Sequence, residues 1–270
     1  MSAVGSSNPG YVVARVRARR GQLYGDEEYR KLVRMSPAEI ARFMEESTYE
    51  SAINALGSRH GGVDLVEYAL NQNLAVQFEA ILEWSEGELY DLVARYLRKF
   101  DAWNLKTVIR GVYTGASREA VEADLIRAGE FDDRQIRRLL DADSIEAVVE
   151  AVEETIYDEP LRAAYPAFEE SDVLVPLENA VDRAFYDRLL TGLPGGEPVR
   201  QYEAFLEAEV DFRNAANALR LARSGAEIDP AEYFIDGGQL FTRTSLARLA
   251  RNLDELVEYV AGSQYADDLG

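Results

Sequence analysis

A ten-residue polar motif occurs twice in this chain, and it restricts the possible fold more than any other feature of the sequence. Residues 101–110 and residues 211–220 both follow the pattern Asp-x2-Asn-x2-Thr/Asn-x2-Arg, at an offset of 110 (211 − 101). Polar residues at every third position form an oblique ridge on a helix, and such ridges pack into the grooves of a neighbouring helix. The motif residues are Asp101, Asn104, Thr107 and Arg110 in the first copy, and Asp211, Asn214, Asn217 and Arg220 in the second.

The surroundings of the first copy favour an architectural role for the motif. A Ser-x-x-Glu capping box at Ser85 predicts the start of one long helix, whose apolar face runs from Leu89 through Trp103 to Ile109. Asn104 and Thr107 lie against this apolar seam, so we expect them to satisfy each other or a facing helix. Asp, Asn and Arg also occur in active sites. A single active site gives no reason for the motif to recur a full domain later, so we interpret it as structural.

A second set of matches has nearly the same period. Ser36, Ser144 and Asn252 follow one another at equal intervals (144 − 36 = 252 − 144), and each can cap a helix through a side-chain oxygen. Pro37 and Glu39 complete a capping box at the first of them. A tyrosine follows each cap after the same interval, at positions 49, 157 and 265. The chain therefore contains three openings of a unit of about 110 residues but only two completions.

These repeats predict an all-α chain of three tandem similar helical domains, with the third incomplete. No period-two alternation is long enough to predict a sheet, and the second unit is predicted to include helices over residues 121–140 and 175–190. We predict a flexible tail over residues 1–10, helical repeat domains over 11–114 and 115–224, and the first half of a third over 225–270. By extension of the repeat, we expect the chain to be a fragment of one at least about 60 residues longer.

The charge pattern indicates a salt-adapted protein. The formal net charge is −20, and the 29 basic residues include only three lysines. Abundant carboxylates with scarce lysine suit a protein that stays hydrated in concentrated salt. An ordinary acidic cytosolic protein would leave the scarcity of lysine unexplained. The net charge also argues against nucleic acid as a partner, because phosphate binding requires a basic face.

No pattern in the sequence predicts catalysis, a cofactor or a metal. There is no cysteine, and no lysine follows a glycine as a phosphate-binding loop requires. The single histidine, His60, lies in a glycine-rich turn, where a surface histidine is a better interpretation than a metal ligand. Adjacent carboxylates such as Glu45 and Glu46 occur on polar faces. An α-helical enzyme that uses such carboxylates is one alternative, and it would require several of them to converge in a deep pocket.

One basic cluster stands out in this acidic chain. It lies in the segment from Tyr11 to Arg20 and consists of Arg15, Arg17, Arg19 and Arg20. One interpretation is a solvated helix face that pairs with acidic neighbours. The other is a contact with an acidic partner or with lipid headgroups. The sequence leaves both open.

Several of these segments together resemble a known family. They are Tyr11-x2-Ala14-Arg-Val-Arg-Ala-Arg19, the helix start Met35 to Ile40, Thr48-Tyr49, and the doubled Asp-x2-Asn-x5-Arg helix. In this order they resemble the C subunit of the archaeal A-type ATP synthase, which is similar to the d subunit of eukaryotic V-type ATPases. The resemblance extends from Tyr11 to Gly270. The last part of the family pattern, a further copy of the Asn/Arg helix, does not occur in this sequence.

The resemblance implies a funnel of three similar helical domains around a pseudo-threefold axis, without catalytic, nucleotide, cofactor or metal sites. It implies a central-stalk adaptor, peripheral on the cytoplasmic face of the membrane, between the central shaft and the proteolipid ring. Such an adaptor couples ATP synthesis or hydrolysis to proton or sodium transport. An unrelated α-helical scaffold is the alternative, although helical repeats of that class usually have periods of about 33–47 residues.

Overall fold

The computed structural model describes residues 7–224 and 229–266. Within those ranges the chain is helical and contains no strand, which confirms the all-α prediction. The helices are α1 (Pro9–Arg20), α2 (Asp26–Leu32), α3 (Pro37–Glu45), α4 (Glu50–Leu56), α5 (Gly62–Trp84), α6 (Glu88–Leu97), α7 (Lys99–Thr114), α8 (Arg118–Ala123), α9 (Asp133–Leu140), α10 (Ile145–Ala151), α11 (Asp158–Ser171), α12 (Val175–Leu190), α13 (Glu197–Ser224), the 3-10 helix η1 (Pro230–Tyr233), α14 (Arg243–Leu249) and α15 (Leu253–Ala261).

The described residues form two compact units, one that ends at Ala151 and one that begins at Val152. In the first unit, α3, α4 and α5 enclose a core around Met44 and Ile53, and α5, α6 and α7 enclose a second core around Leu97. In the second unit, α13, α14 and α15 pack around Leu246. The division into three repeat domains stays a prediction, and Gly225, the predicted start of the third, lies outside the described residues.

The three predicted helix caps are confirmed. The Glu39 carboxylate accepts hydrogen bonds from the Ser36 backbone N–H (2.8 Å) and hydroxyl (2.7 Å), and α3 begins at the next residue. The Ser144 hydroxyl accepts the N–H of the residue three positions later at 3.2 Å. The Asn252 side chain does the same at 3.3 Å. Apart from the bond of the Ser36 hydroxyl, each of these bonds satisfies a backbone donor that the start of a helix leaves unpaired.

The same turn follows each of these three helices. A hydroxyl donates to the carbonyl three residues before it and accepts the N–H of a tyrosine two residues after it, at distances of 2.6–2.7 Å and 3.2–3.3 Å. The sequence repeat includes the three tyrosines, but it did not include the hydroxyl residue two positions before each of them. The three sets are Ser47 with Met44 and Tyr49, Thr155 with Val152 and Tyr157, and Ser263 with Val260 and Tyr265.

Four local predictions are wrong. The long helix of the first motif is divided at Arg98 into α6 and α7. Ser85 is no N-cap, because its hydroxyl donates to Ile81 at the end of α5 and Gly87 precedes α6. The continuous helix predicted over residues 121–140 is interrupted between α8 and α9. Trp103, assigned to the apolar face, is 50% exposed.

The end of the predicted tail is structured. Asn8 donates from its side chain to the Trp84 carbonyl (2.8 Å) and accepts the Glu86 N–H (3.1 Å). The Ser7 hydroxyl accepts the Leu89 N–H, and α1 begins at Pro9. These bonds tie the start of α1 to the junction between α5 and α6. Residues 1–6 of the predicted tail lie outside the described residues.

Candidate functional site

The first two residues of the repeated motif bind the backbone of a distant segment. Asn104 on α7 donates from Nδ2 to the Ile126 carbonyl and accepts the Ile126 N–H at Oδ1, both at 2.8 Å. Asp101, one turn earlier, accepts the N–H groups of Glu130 (2.8 Å) and Phe131 (3.0 Å). Both side chains are buried, with 1–2% exposure. Together they hold the irregular segment between α8 and α9. We call Asp101 and Asn104, with the four hydrogen bonds they make to this segment, the first clamp.

The second copy on α13 repeats this arrangement. Asn214 exchanges two hydrogen bonds with Ile235, at 2.8 and 2.9 Å. Asp211 accepts the N–H groups of Gln239 (2.9 Å) and Leu240 (2.8 Å). Two contacts are particular to this second clamp: Asn217 donates to the Tyr233 carbonyl (3.1 Å), and the Tyr265 hydroxyl donates to Asp211 (2.8 Å). In both copies, an Asp-Asn pair on a helix thus binds main-chain groups of a non-helical segment.

The structure does not support the partners predicted for Asn104. Its amide bonds the main chain of a loop, not Thr107 and not a facing helix. Thr107 is half-buried, and Arg110 and Arg220 are exposed at the ends of the two ridges. Each copy of the motif therefore has a buried Asp-Asn pair that forms the clamp and an exposed arginine at its end, while the position between them is half-buried in the first copy and buried in the second.

Two glycines complete the clamps, and the motif pattern did not include them. A Cβ on Gly129 would lie 2.0 Å from Asp101 Oδ1, and one on Gly238 would lie 2.1 Å from Asp211 Oδ1. Real Cβ atoms do not approach other atoms below about 3.0 Å. Only glycine lets the backbone come this close to the carboxylate. The offset between them (238 − 129) is one less than that of the motif, and this recurrence could have identified them.

Burial governs the electrostatics of both clamps. Desolvation raises the pKa of Asp101 from its ordinary value to about 6, against the opposing effect of the two N–H groups that stabilise its anion. Desolvation also raises the pKa of Tyr265 to about 12, and its hydrogen bond to Asp211 adds to the shift. At neutral pH, Tyr265 therefore keeps the proton that it donates to Asp211.

In the basic cluster of α1, Arg15 and Arg19 contact an aromatic ring, and every member except the half-buried Arg19 is exposed. The Arg15 guanidinium lies 4.6 Å from the centre of the Trp84 ring, and that of Arg19 lies 4.5 Å from it. Arg19 also donates to Gln77 on α5. Cations over an aromatic face are attracted by the ring quadrupole. Arg17 and Arg20 project from the exposed side of the helix.

Within residues 7–224 and 229–266, none of these four arginines forms an ion pair with a carboxylate. The predicted pairing with acidic neighbours is therefore not observed. The aromatic and amide contacts of Arg15 and Arg19 take its place. The tryptophan that organises the cluster, Trp84, lies at the far end of α5, so no local spacing could have revealed it.

A cavity of about 160 Å³ opens beside the C-terminal end of α1. Its wall is mainly apolar and includes Val16, Leu23, Ile81 and Trp84. Polar side chains complete the lining, namely Arg19, Arg20, Gln22, Asn73 and Gln77. We call this cavity and the exposed arginines of α1 the α1 site.

A second, larger cleft contains the only histidine. It measures about 520 Å³ and is lined by Arg59, His60, Tyr68 and Arg127, among others. His60 packs edge-on against Tyr68, with ring centres 4.8 Å apart. Arg127 pairs with Glu122 and Asp133, so its charge is already neutralised. Among the described residues, no three His, Asp or Glu side chains are grouped so that they could hold a metal ion.

Known proteins resemble the chain over its whole length. Residues 12–270 match the sequence profile of the family described as ATP synthase (C/AC39) subunit. The C subunit of the A-type ATP synthase from Halorubrum lacusprofundi is 79% identical over 270 residues, which are 100% of this chain and 78% of the relative. The protein of that name from Haloferax volcanii is 69% identical, over 100% of this chain and 77% of the relative. The one from Methanosarcina mazei is 35% identical, over 97% of this chain and 72% of the relative.

The relatives bear on a further prediction, the one on salt adaptation. The first relatives come from halophilic archaea, in agreement with the salt adaptation predicted from the net charge and the scarcity of lysine. In the part of the chain that the structure describes, none of the helices combines the length and the apolar character needed to cross a membrane.

Proposed function

The chain belongs to the ATP synthase (C/AC39) subunit family, and from this membership we propose that it acts as a non-catalytic central-stalk adaptor of a rotary ATP synthase. In this role it joins the central rotor shaft to the proteolipid ring on the cytoplasmic face of the membrane. It thereby couples ATP synthesis or hydrolysis to proton or sodium transport. The observation that carries the proposal is the family match over residues 12–270.

The clamps support a mechanical role. A part that transmits torque must keep its helices in fixed register under load. Each clamp fixes a connecting segment to a long helix by four hydrogen bonds to main-chain groups, two of them buried and two partly buried. Buried polar contacts of this kind specify a register more strictly than apolar packing does. We propose that the three predicted repeat domains serve as rigid walls of the socket.

The α1 site supports a role in contact with partners. Its arginines find no carboxylate within the described part of their own chain, although the chain has a net charge of −20. Exposed cations of this kind favour complementary contacts with another molecule. We propose that the partners are subunits of the shaft and the membrane sector, with no role for nucleic acid or for a directly bound nucleotide.

Affinity purification tests the proposal. The tagged chain would be recovered in molar salt from gently solubilised membranes of its source, beside a version with the second clamp weakened by Gly238→Ala. We expect ATPase head and proteolipid subunits in fixed stoichiometry with the unaltered chain, and a reduced yield with the variant. Recovery of the chain without any ATPase subunit would contradict the adaptor role and favour an unrelated helical scaffold.

A further inference from the structure

We propose that the α1 site is a docking site for an acidic segment of a partner protein, and that this segment inserts one apolar side chain into the cavity. The inference rests on the proposed function, because it assigns a partner chemistry to a surface of the same adaptor. It concerns only residues of the first unit.

The size and wall of the cavity suit one apolar side chain. Its volume of about 160 Å³ is close to that of an apolar cavity of about 150 Å³ that accommodates benzene. Val16, Ile81 and Trp84 form part of the wall, and Leu23 at the opening is 65% exposed. Burying one large apolar side chain is favourable whatever the charge around it. The cavity can therefore supply affinity that does not depend on charge.

The wall of the cavity is held in place before any partner binds. Asn73 donates to the Thr48 carbonyl (2.9 Å), and Gln77 accepts a hydrogen bond from Arg19. Asn8 holds the end of α5 at Trp84, and the Trp84 ring carries the guanidinium groups of Arg15 and Arg19. A site that is already ordered loses little conformational entropy on binding.

The charge at the opening selects an acidic partner. Arg20 borders the cavity, and Arg17 lies one turn earlier on an exposed part of α1. Neither forms an ion pair with a carboxylate of the described chain. A carboxylate next to the apolar anchor would meet these two cations. In molar salt the Debye length falls to about 3 Å, so such ion pairs act only at contact and the apolar anchor must contribute the remaining affinity.

The concave shape favours a protein segment over a lipid surface. Lipid headgroups form a flat array that would engage an evenly exposed row of arginines. Here the Trp84 ring engages Arg15 and Arg19, and Arg19 and Arg20 line a cavity of single-side-chain size. A segment with one apolar residue among acidic ones matches both features.

Photo-crosslinking in the assembled complex tests the inference. p-Benzoylphenylalanine would replace Leu23 in the tagged full protein, and the same probe at Glu169, an exposed residue of α11, would serve as the control. After co-purification in molar salt and irradiation, mass spectrometry would identify the attached peptide. We expect the Leu23 probe, and not the control, to attach to one segment of an ATPase subunit that contains several Asp or Glu residues beside an apolar one.

A charge reversal separates the docking site from the adaptor role. We expect Arg20→Glu to lower the yield of this cross-link at least about fivefold, whereas Arg34→Glu, the same change at an exposed arginine away from the cavity, leaves it unchanged. Co-purification without the cross-link, attachment to lipid, or attachment to a segment without acidic residues would overturn the docking inference and leave the adaptor role intact. Loss of co-purification altogether would instead count against the proposed function and, with it, the partner assigned here.

Discussion

Gly129→Ala is the sharpest test of the first clamp. The new methyl carbon would lie 2.0 Å from Asp101 Oδ1 and 2.7 Å from Oδ2, so the carboxylate has to retreat by about 1 Å or more. The N–H bonds from Glu130 and Phe131, now 2.8 and 3.0 Å, would then break and leave a buried charge with fewer donors. Hydrogen bonds to a charged group are worth about 1.5–3 kcal/mol each, so we expect a loss of about 3–5 kcal/mol in the free energy of unfolding.

Both tryptophans, Trp84 and Trp103, belong to the first unit, so tryptophan fluorescence during denaturation in molar salt reports the unfolding of the unit that contains Gly129. Gly10→Ala is the matched control, because it makes the same chemical change in a helix with no atom within 4 Å of the new Cβ. We expect that control to be neutral or stabilising by up to about 1 kcal/mol.

A double-mutant cycle identifies the cause of the loss. In an Asp101→Ala background the carboxylate that obstructs the new methyl group is gone, so Gly129→Ala should cost less than about 1 kcal/mol there. An equal cost in both backgrounds would refute the steric explanation. So would a stability of the single variant Gly129→Ala within about 0.5 kcal/mol of the Gly10→Ala control.

Three further predictions concern the buried polar groups. Asn104→Leu leaves the N–H and C=O of Ile126 unpaired, so the free energy of unfolding should fall by about 2–5 kcal/mol. An unchanged thermal midpoint in high salt would contradict a structural role for this residue. Burial raises the pKa of Asp101 to about 6, so the folded chain holds this proton more tightly than the unfolded chain does. The stability of the wild type relative to Asp101→Asn should therefore fall by up to about 3 kcal/mol as the pH rises from about 4 to 6. A carboxyl NMR titration that gives Asp101 an ordinary or lowered pKa would refute this. Tyr265→Phe keeps the ring contact with Phe212 but removes the hydroxyl that donates to Asp211. The free energy of unfolding of the second unit, followed by circular dichroism, should therefore fall by about 1 kcal/mol. No loss would show that water replaces the bond.

The elements that the sequence predicted correctly carry local signals. Ser36 has both a glutamate three residues later and a proline at the first helical position, and α3 begins there as predicted. The helix predicted over residues 175–190 is α12, whose bounds agree, because a proline near its start and an apolar spacing of three and four residues mark it. Such signals act within one or two turns and need no knowledge of the rest of the chain.

The failures arise where a distant partner overrides the local pattern. Residues 121–140 contain apolar residues at helical spacing, yet the middle of this segment is not helical. Asn104 and Asp101 bind the N–H groups of Ile126, Glu130 and Phe131, which an uninterrupted helix would use internally. The sequence placed the two polar residues correctly on their helix, but it could not name the backbone they bind, because main-chain groups leave no trace in residue type.

The choice of main-chain partners has a mechanical consequence. If the segment held by the first clamp slipped by one residue along α7, Asn104 and Asp101 would face groups at the wrong spacing, and four hydrogen bonds of buried side chains would be lost together. At about 1–3 kcal/mol for each unsatisfied group, that slip costs about 4–12 kcal/mol, which is comparable to the whole stability of a typical domain. Apolar packing alone would tolerate such a shift far better, since dispersion contacts are not directional. In the proposed adaptor, we therefore expect a load to rotate the socket as a rigid body before any connecting segment slides along its helix.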